Sequence, residues 1–285
     1  MLSYIVKNEE NLTQILKNIW GISSRLIIKL KKKGRIFVNG NSVFINYPIN
    51  QGDIVEVDIQ FEEESENIKS ENIDVNIVYE DNNLLVINKV AGMVVHPTCL
   101  HQSGTLANAV KYYLESKGEN RKIRFVNRLD KDTSGLIVVA KNEYTQENLV
   151  KQMKENKFEK YYIAKVNGIV CNDEGTIDLP IGRKEGSIME RTIREDGDRA
   201  ITHYKVLERH IEENYTIVGI QLETGRTHQI RVHFKAIGHT LYGDSLYGDE
   251  RKDVERYFLH AERVVFYDPI DGRRHEFLAK LDKIY

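Results

Sequence analysis

Apolar and polar positions change rhythm several times along this chain, and each change marks an element. Leu12, Ile15, Leu16 and Ile19 recur at helical spacing, and Ser23 and Ser24 stand where a cap would open a second helix carrying Leu26, Ile27 and Leu30. Ile36-Phe37-Val38 and Val43-Phe44-Ile45 flank an Asn39-Gly40 turn, which is a hairpin signal, and residues 53–59 alternate as a strand. Then the rhythm stops. Residues 61–74 carry Glu62, Glu63, Glu64, Glu66, Glu71 and Asp74 against a single Lys69, with few apolar positions, and read as a solvated linker. The pattern predicts a small N-terminal α/β module over residues 1–60, an acidic linker over 61–74 and a second domain over 75–285.

Beyond residue 75 the chain is rich in strands. Ile77-Val78-Tyr79 and Leu84-Leu85-Val86-Ile87 flank an Asp81-Asn82-Asn83 turn, and Leu106, Val110, Tyr113 and Leu114 form a helix stripe. The apolar run Leu136 to Ala140 reads as a strand followed by a helix over 143–155. Residues 158–166, 199–207, 215–222 and 259–266 read as further strands, and Ile230, Phe234 and Ile237 stripe a helix over about 227–237. Strands with helices set among them, without regular βαβ alternation, predict an α+β domain on a largely antiparallel, mixed sheet.

Composition narrows the class. Of 285 residues, 41% are hydrophobic and 29% charged, as in ordinary globular proteins. Cys99 and Cys171 lie far apart and outside any CxxC spacing, which argues against a structural zinc site or a disulfide framework. No stretch stays apolar long enough to span a bilayer, and the first ten residues lack the pattern of a secretory signal, so the expected location is the cytoplasm. The net charge of -2 hides an uneven layout: residues 25–35 carry Arg25, Lys29, Lys31, Lys32, Lys33 and Arg35 and no acid. A solvated helix face is the ordinary reading of such a run.

Chemistry concentrates around Asn127-Arg128-Leu129-Asp130-Lys131-Asp132-Thr133-Ser134-Gly135. Any lone Asp in such a setting more often closes a turn than performs a reaction. Here, however, the stretch resembles the catalytic motif of the RluA family of pseudouridine synthases, His-Arg-Leu-Asp, two variable residues, then Thr-Ser-Gly. Four further stretches match in order: Asn88-Lys89-Val90-Ala91-Gly92 with Val95-His96-Pro97; Lys160-Tyr161-Tyr162-Ile163-Ala164-Lys165-Val166-Asn167-Gly168; Thr224 to His233; and Gly243 to Gly248 with Leu259-His260-Ala261. Val90 replaces a usual proline, Asn127 stands where the family usually has His, and Asp268 precedes Pro269 where His is common.

The resemblance implies a cofactor-free isomerisation of uridine to pseudouridine in RNA. Asp130 falls on the catalytic aspartate as nucleophile or general base, Tyr162 on the active-site tyrosine, Arg231 on the arginine that pairs with the aspartate, and Arg128 on the side chain that fills the gap left by a flipped base. General chemistry agrees: a close guanidinium favours the charged form of a carboxylate, and an aromatic face stacks on an extruded base. The two helices, hairpin and closing Gly52-Asp53-Ile54-Val55 strand resemble the small RNA-binding module first described in ribosomal protein S-four. That makes phosphate contact the better reading of Arg25, Lys29, Lys31, Lys32, Lys33 and Arg35. Large-subunit ribosomal RNA is the expected partner and tRNA the second choice, for a monomer without a metal. The histidines His203, His228, His233, His239 and His260 show no metal-ligand spacing and read as structural. A non-catalytic RNA-binding assembly factor and a glycosidic hydrolase are the rivals. The first is disfavoured by the presence of Asp130 and Arg231, the second by the lack of a placed second carboxylate.

Overall fold

The computed structural model describes residues 1–8, 10–63, 68–98, 101–248 and 251–280. Cys99 lies outside the described residues, and Cys171 is a free, exposed thiol. Among the described residues no helix is long and apolar enough to cross a membrane.

The N-terminal module runs β1 (Leu2–Ile5), α1 (Leu12–Gln14, continuing as a π-helical stretch Ile15–Ile19), α2 (Ser24–Lys32), β2 (Ile36–Val38), β3 (Asn41–Ser42) and β4 (Ile54–Val57). Its antiparallel sheet has the order β1-β4-β2-β3. Ser23 caps α2 by accepting from the Leu26 amide, and Leu12, Leu16, Leu26, Leu30, Ile36 and Val57 meet in one core. The expected hairpin is shorter than its apolar pattern predicts. β3 ends at Ser42; Val43 and Ile45 pack against the core while Phe44 between them is 80% exposed.

The chain continues β5 (Ile77–Glu80), β6 (Leu84–Lys89), α3 (Leu106–Ser116), β7 (Arg124–Phe125), β8 (Ser134–Ala140), α4 (Glu143–Lys154) and β9 (Glu159–Asn167). It continues β10 (Glu174–Asp178), β11 (Ile181–Arg183), β12 (Arg191–Ile193), β13 (Ile201–His210), β14 (Tyr215–Leu222), α5 (Gln229–Ala236), β15 (Leu259–Tyr267) and β16 (Arg274–Leu278). The main sheet has the order β10-β13-β14-β9-β15-β8-β6-β5, with β16 on β15 and β7 on β8. Its described pairings are antiparallel except that of β15 with β8, at His260 with Ser134 and Ala261 with Gly135. This is the α+β, largely antiparallel mixed sheet that the sequence pattern predicts. The parallel splice explains Gly135. Its φ is +109°, and an added Cβ would lie 2.2 Å from the Ala261 carbonyl oxygen, so only glycine lets the two strands meet.

The acidic stretch departs from the solvated linker read in the sequence. Residues 64–67 lie outside the described residues, but the flanks are tied down on both sides. Phe61 packs on the N-terminal core and Ile68 on the core beneath α3. Glu63 pairs with Lys29 and Arg124, Lys111 and Asn108 donate to the carbonyls of Ile68 and Lys69, and the Glu71 carboxylate accepts from the Gly104 amide. Two apolar anchors and a set of polar bonds suffice where the hydrophobic pattern alone shows little. The module also rests on α4: Tyr144 belongs to the N-terminal core, Ser23 Oγ donates to Glu147 at 2.8 Å, and Glu143 receives Arg25 at 3.3 Å and Lys29.

Candidate active site

The loop ahead of β8 is fixed before any question of chemistry arises. A backbone turn closes it, with the Thr133 amide donating to the Asp130 carbonyl at 3.2 Å. Lys89, 1% exposed at the end of β6, donates to the carbonyls of Val90, Met93 and Lys131 at 2.8–2.9 Å, and Arg256 donates to the Asp132 carbonyl. Thr133 Oγ1 meets the Tyr257 hydroxyl, and Ser134 Oγ meets Nδ1 of His260, whose other nitrogen bonds the Ala279 carbonyl. Asn127, the departure from the family pattern, does a clear structural job. Its amide donates to the Leu136 carbonyl at 3.1 Å and accepts from the Val138 amide at 2.8 Å, so it staples the loop to β8. Asp268, the second departure, accepts from the amides of Ile270 and Asp271 and so closes a turn.

This loop presents Asp130 to a cavity of about 710 Å³ whose wall includes Arg128, Lys160, Tyr162, Arg226, His228 and Arg231. The cavity is large enough for a nucleotide-sized ligand. Arg231 Nη1 lies 3.7 Å and His228 Nε2 3.9 Å from the Asp130 carboxylate. Both separations exceed hydrogen-bond length, so Arg231 acts on it through its field and the imidazole stands beside it without a direct bond. The guanidinium fork is engaged elsewhere. Nε and Nη2 of Arg231 donate to the two oxygens of Asp244 at 2.7 and 2.8 Å, in a buried bidentate pair. Sequence reasoning assigned the fork to Asp130; the geometry gives it to Asp244, which sits 13 residues from Arg231 and accepts further bonds from the amides of Leu246 and Tyr247. The rings of Tyr257 and Tyr247 both lie against the guanidinium, at 4.4 and 4.8 Å. Arg231 is thus held as a permanent cation with little freedom to move.

Tyr162 lies on β9 opposite Ile220 of β14 and Ala261 of β15, at the centre of the sheet. It is buried to 6% exposure and faces the cavity, whereas Tyr161 points to the other side, bonded to Glu159 and covered by Arg263. Burial, and after it the charge of Asp130, pushes the Tyr162 phenol well above its ordinary pKa. Tyr257 shifts the same way for the same two causes. Both rings are therefore neutral surfaces at physiological pH.

His228 is the functional-site residue that sequence reasoning set aside. It has φ +57° and ψ 20°, left-handed values uncommon for a side chain with a Cβ, and it opens α5 two residues later than the apolar stripe predicts. Its Nδ1 meets the Tyr247 hydroxyl at 2.8 Å, and burial lowers its pKa. The other histidines read as structural do have structural partners: His233 bonds Thr202 and the Leu179 carbonyl, His239 the Asn167 carbonyl, and His203 Thr176 and Glu223. Among the described residues, no group of three or more His, Cys, Asp or Glu is placed to hold a metal ion.

The sequence-predicted RNA contacts divide. Arg128 is exposed on the cavity wall. Lys31, Lys32 and Lys33 are exposed at the end of α2, the last lying over the Phe61 ring. Arg25 and Lys29 face Glu143, and Arg35 pairs with Asp58 at 2.5 Å. These three meet carboxylates of their own chain.

Comparison with known proteins follows the same residues. Residues 83–236 match the family described as RNA pseudouridylate synthase. An uncharacterized RNA pseudouridine synthase of Bacillus subtilis, YlyB, is 44% identical, over 88% of this chain and 83% of its own. A ribosomal large subunit pseudouridine synthase D of Haemophilus influenzae is 37% identical, over 81% of this chain and 74% of its own. The solved structure of human RNA pseudouridylate synthase domain containing 1 superposes with a TM-score of 0.61 at 29% identity, across 74% of this chain and 85% of that one.

Proposed function

This chain belongs to the RNA pseudouridylate synthase family, and from that premise we propose that it isomerises uridines of large-subunit ribosomal RNA, with Asp130 as the reacting carboxylate. The observation that carries the assignment is the position of Asp130: a carboxylate on a tied-down loop, facing a nucleotide-sized cavity, with Arg231 at 3.7 Å and Tyr162 in the same wall. The ribosomal substrate is supported by the relative named for the large subunit.

In the reaction the C1′–N1 bond of the uridine breaks and a C1′–C5 bond forms, N1 gains a proton and C5 loses one, so the mass is unchanged. Asp130 acts at the sugar as nucleophile or general base, with the Arg231 guanidinium 3.7 Å away. The target nucleotide leaves its stack to reach the cavity, at a cost of a few kcal/mol that is smaller in loops and bulges. Tyr162 offers its ring to the uracil, and Arg128 fills the place the base has left. The N-terminal module, in the manner of the S-four module, docks the RNA through Lys31, Lys32 and Lys33.

Pseudouridine mapping of total RNA, with the gene intact, deleted, and replaced by an Asp130→Asn allele, tests this. Loss of the same large-subunit sites in the deletion and in the allele is expected. Loss confined to tRNA would refute the ribosomal assignment, and retention in the Asp130→Asn strain would refute the site. Cleaved glycosidic bonds, seen as abasic sites, would mark a hydrolase instead.

A further inference from the structure

Lys160 stands on β9 two residues before Tyr162, so both side chains leave the same face of the sheet and line the same cavity. It is 8% exposed, and its contact with protein is a 3.5 Å approach to the Thr224 carbonyl, at the limit of hydrogen bonding. Among the described residues no carboxylate reaches ion-pair distance from it. Burial alone pulls its pKa down to about 8. Two other buried lysines show how this fold satisfies such groups when their role is structural. Lys89 donates to three carbonyls, and Lys141 pairs with Glu80 and Glu119. Lys160 has neither arrangement.

An ammonium buried without a counter-charge is costly, and the cost is relieved by a ligand that brings the charge with it. The surroundings keep the amine open to one. Gly225, which has no side chain to cover the amine, lies beside it, and Gly225, Arg226 and Arg128 line the same cavity. We propose that Lys160 is a phosphate-binding residue of the cavity, its ammonium taking the phosphodiester that enters with the extruded uridine. This rests on reading the cavity as the place where that uridine is held. A phosphodiester fits better than a uracil carbonyl, because a neutral carbonyl is already supplied by Thr224, whereas a formal anion gives a charge-assisted bond.

The test uses the intact enzyme and total RNA from cells lacking the gene, with Lys160→Met and Lys160→Arg beside wild type. Lys160→Met is expected to raise KM on the order of tenfold or more, the loss falling mainly on KM, as for one charged hydrogen bond. It should also flatten the salt dependence of KM by a log-log slope of about 0.7 to 0.9, and Lys160→Arg should restore both. Without RNA, the melting temperature of Lys160→Met should equal or exceed that of wild type, since an unpaired buried charge is removed. An unchanged KM in Lys160→Met, a loss confined to kcat, or a lowered melting temperature with no rescue by Arg would overturn the phosphate role alone. Absence of turnover by the wild-type enzyme would overturn the reading of the site, and the phosphate role with it.

Discussion

The basic helix α2 and the cavity wall both gather cations, and they differ in what faces them. Around α2 the charges are adjacent in sequence, largely exposed, and partly met by carboxylates from distant segments: Glu143 for Arg25 and Lys29, Asp58 for Arg35. In the cavity Arg231 and Lys160 are buried and come from separate elements, and among the described residues one has a counter-ion while the other has none. A run of like charges thus marks where solvent is, whereas a buried charge marks where the fold has a use for it. Exposed ion pairs contribute about 0 to 1 kcal/mol each, while breaking a buried pair costs about 3 to 5 kcal/mol. The cavity, not the helix, is where single substitutions should tell most.

The largest effect is expected at Asp130. Asp130→Asn keeps the shape of the loop and removes the reacting charge, so pseudouridine formation should fall by roughly 10³-fold or more, with RNA affinity close to wild type. Single-turnover assays alongside filter binding would show this, and turnover within tenfold of wild type would remove Asp130 from the chemistry.

Asp244 comes next, and it probes the fold rather than the reaction. Asp244→Asn is nearly isosteric but leaves the Arg231 guanidinium buried without its partner, which should lower unfolding free energy by about 3 to 5 kcal/mol in a denaturant titration. Turnover should fall too, because Asp130 would become the nearest carboxylate and draw the freed guanidinium toward itself. A stable variant with unchanged kcat would mean that the pair does not position Arg231.

What the sequence made legible follows from the same contrast. Asp130, Tyr162 and Arg231 sit in short motifs with fixed spacing, and the motif around residues 160–168 assigns Tyr162 rather than Tyr161, in agreement with the strand alternation. The cavity brings the three together from β8's leading loop, β9 and α5. Three other features were hidden. Asp244 lies in a matched motif, but nothing local reveals that it takes the arginine's fork. His228 owes its place to a left-handed backbone that residue type does not predict. The state of Lys160 depends on Thr224 and Gly225, more than sixty residues away. In the fold, the long apolar strands were legible, while β10, β11, β12 and β16 were not, being three to five residues long with only one or two large apolar residues each. The tied-down acidic stretch escaped for a related reason: its anchors Phe61 and Ile68 are single residues in a polar setting.

A smaller effect separates stacking from hydroxyl chemistry at Tyr162. Tyr162→Phe keeps the ring and should retain RNA affinity, whereas Tyr162→Ala should lose about 1 to 3 kcal/mol of binding if the ring supports a base. Equal losses in fluorescence titrations of the two variants would argue against a platform. Tyr162→Ala must first be shown to melt cooperatively, because the ring also belongs to the core shared with Leu129, Ile220 and Phe234.

The smallest change per residue is expected on α2, and there the comparison can be reversed. If Lys31, Lys32 and Lys33 meet phosphates, replacing all three with Ala should reduce the salt slope of RNA binding by about 0.7 to 0.9 for each phosphate no longer neutralised, for every RNA alike. Lys29→Ala, on the same helix, should leave that slope nearly unchanged, because its charge already faces Glu143 and Glu63. Glu143→Gln should act in the opposite sense, releasing Lys29 and Arg25 from their carboxylate and steepening the salt dependence while loosening the seat of the module on α4. Titrations of one unstructured RNA at several salt concentrations would separate the three variants. If Lys29→Ala flattened the slope as much as each of the three exposed lysines, the ion pairs with Glu143 and Glu63 would have to open when RNA binds, and the distinction between engaged and available charge on this helix would fail.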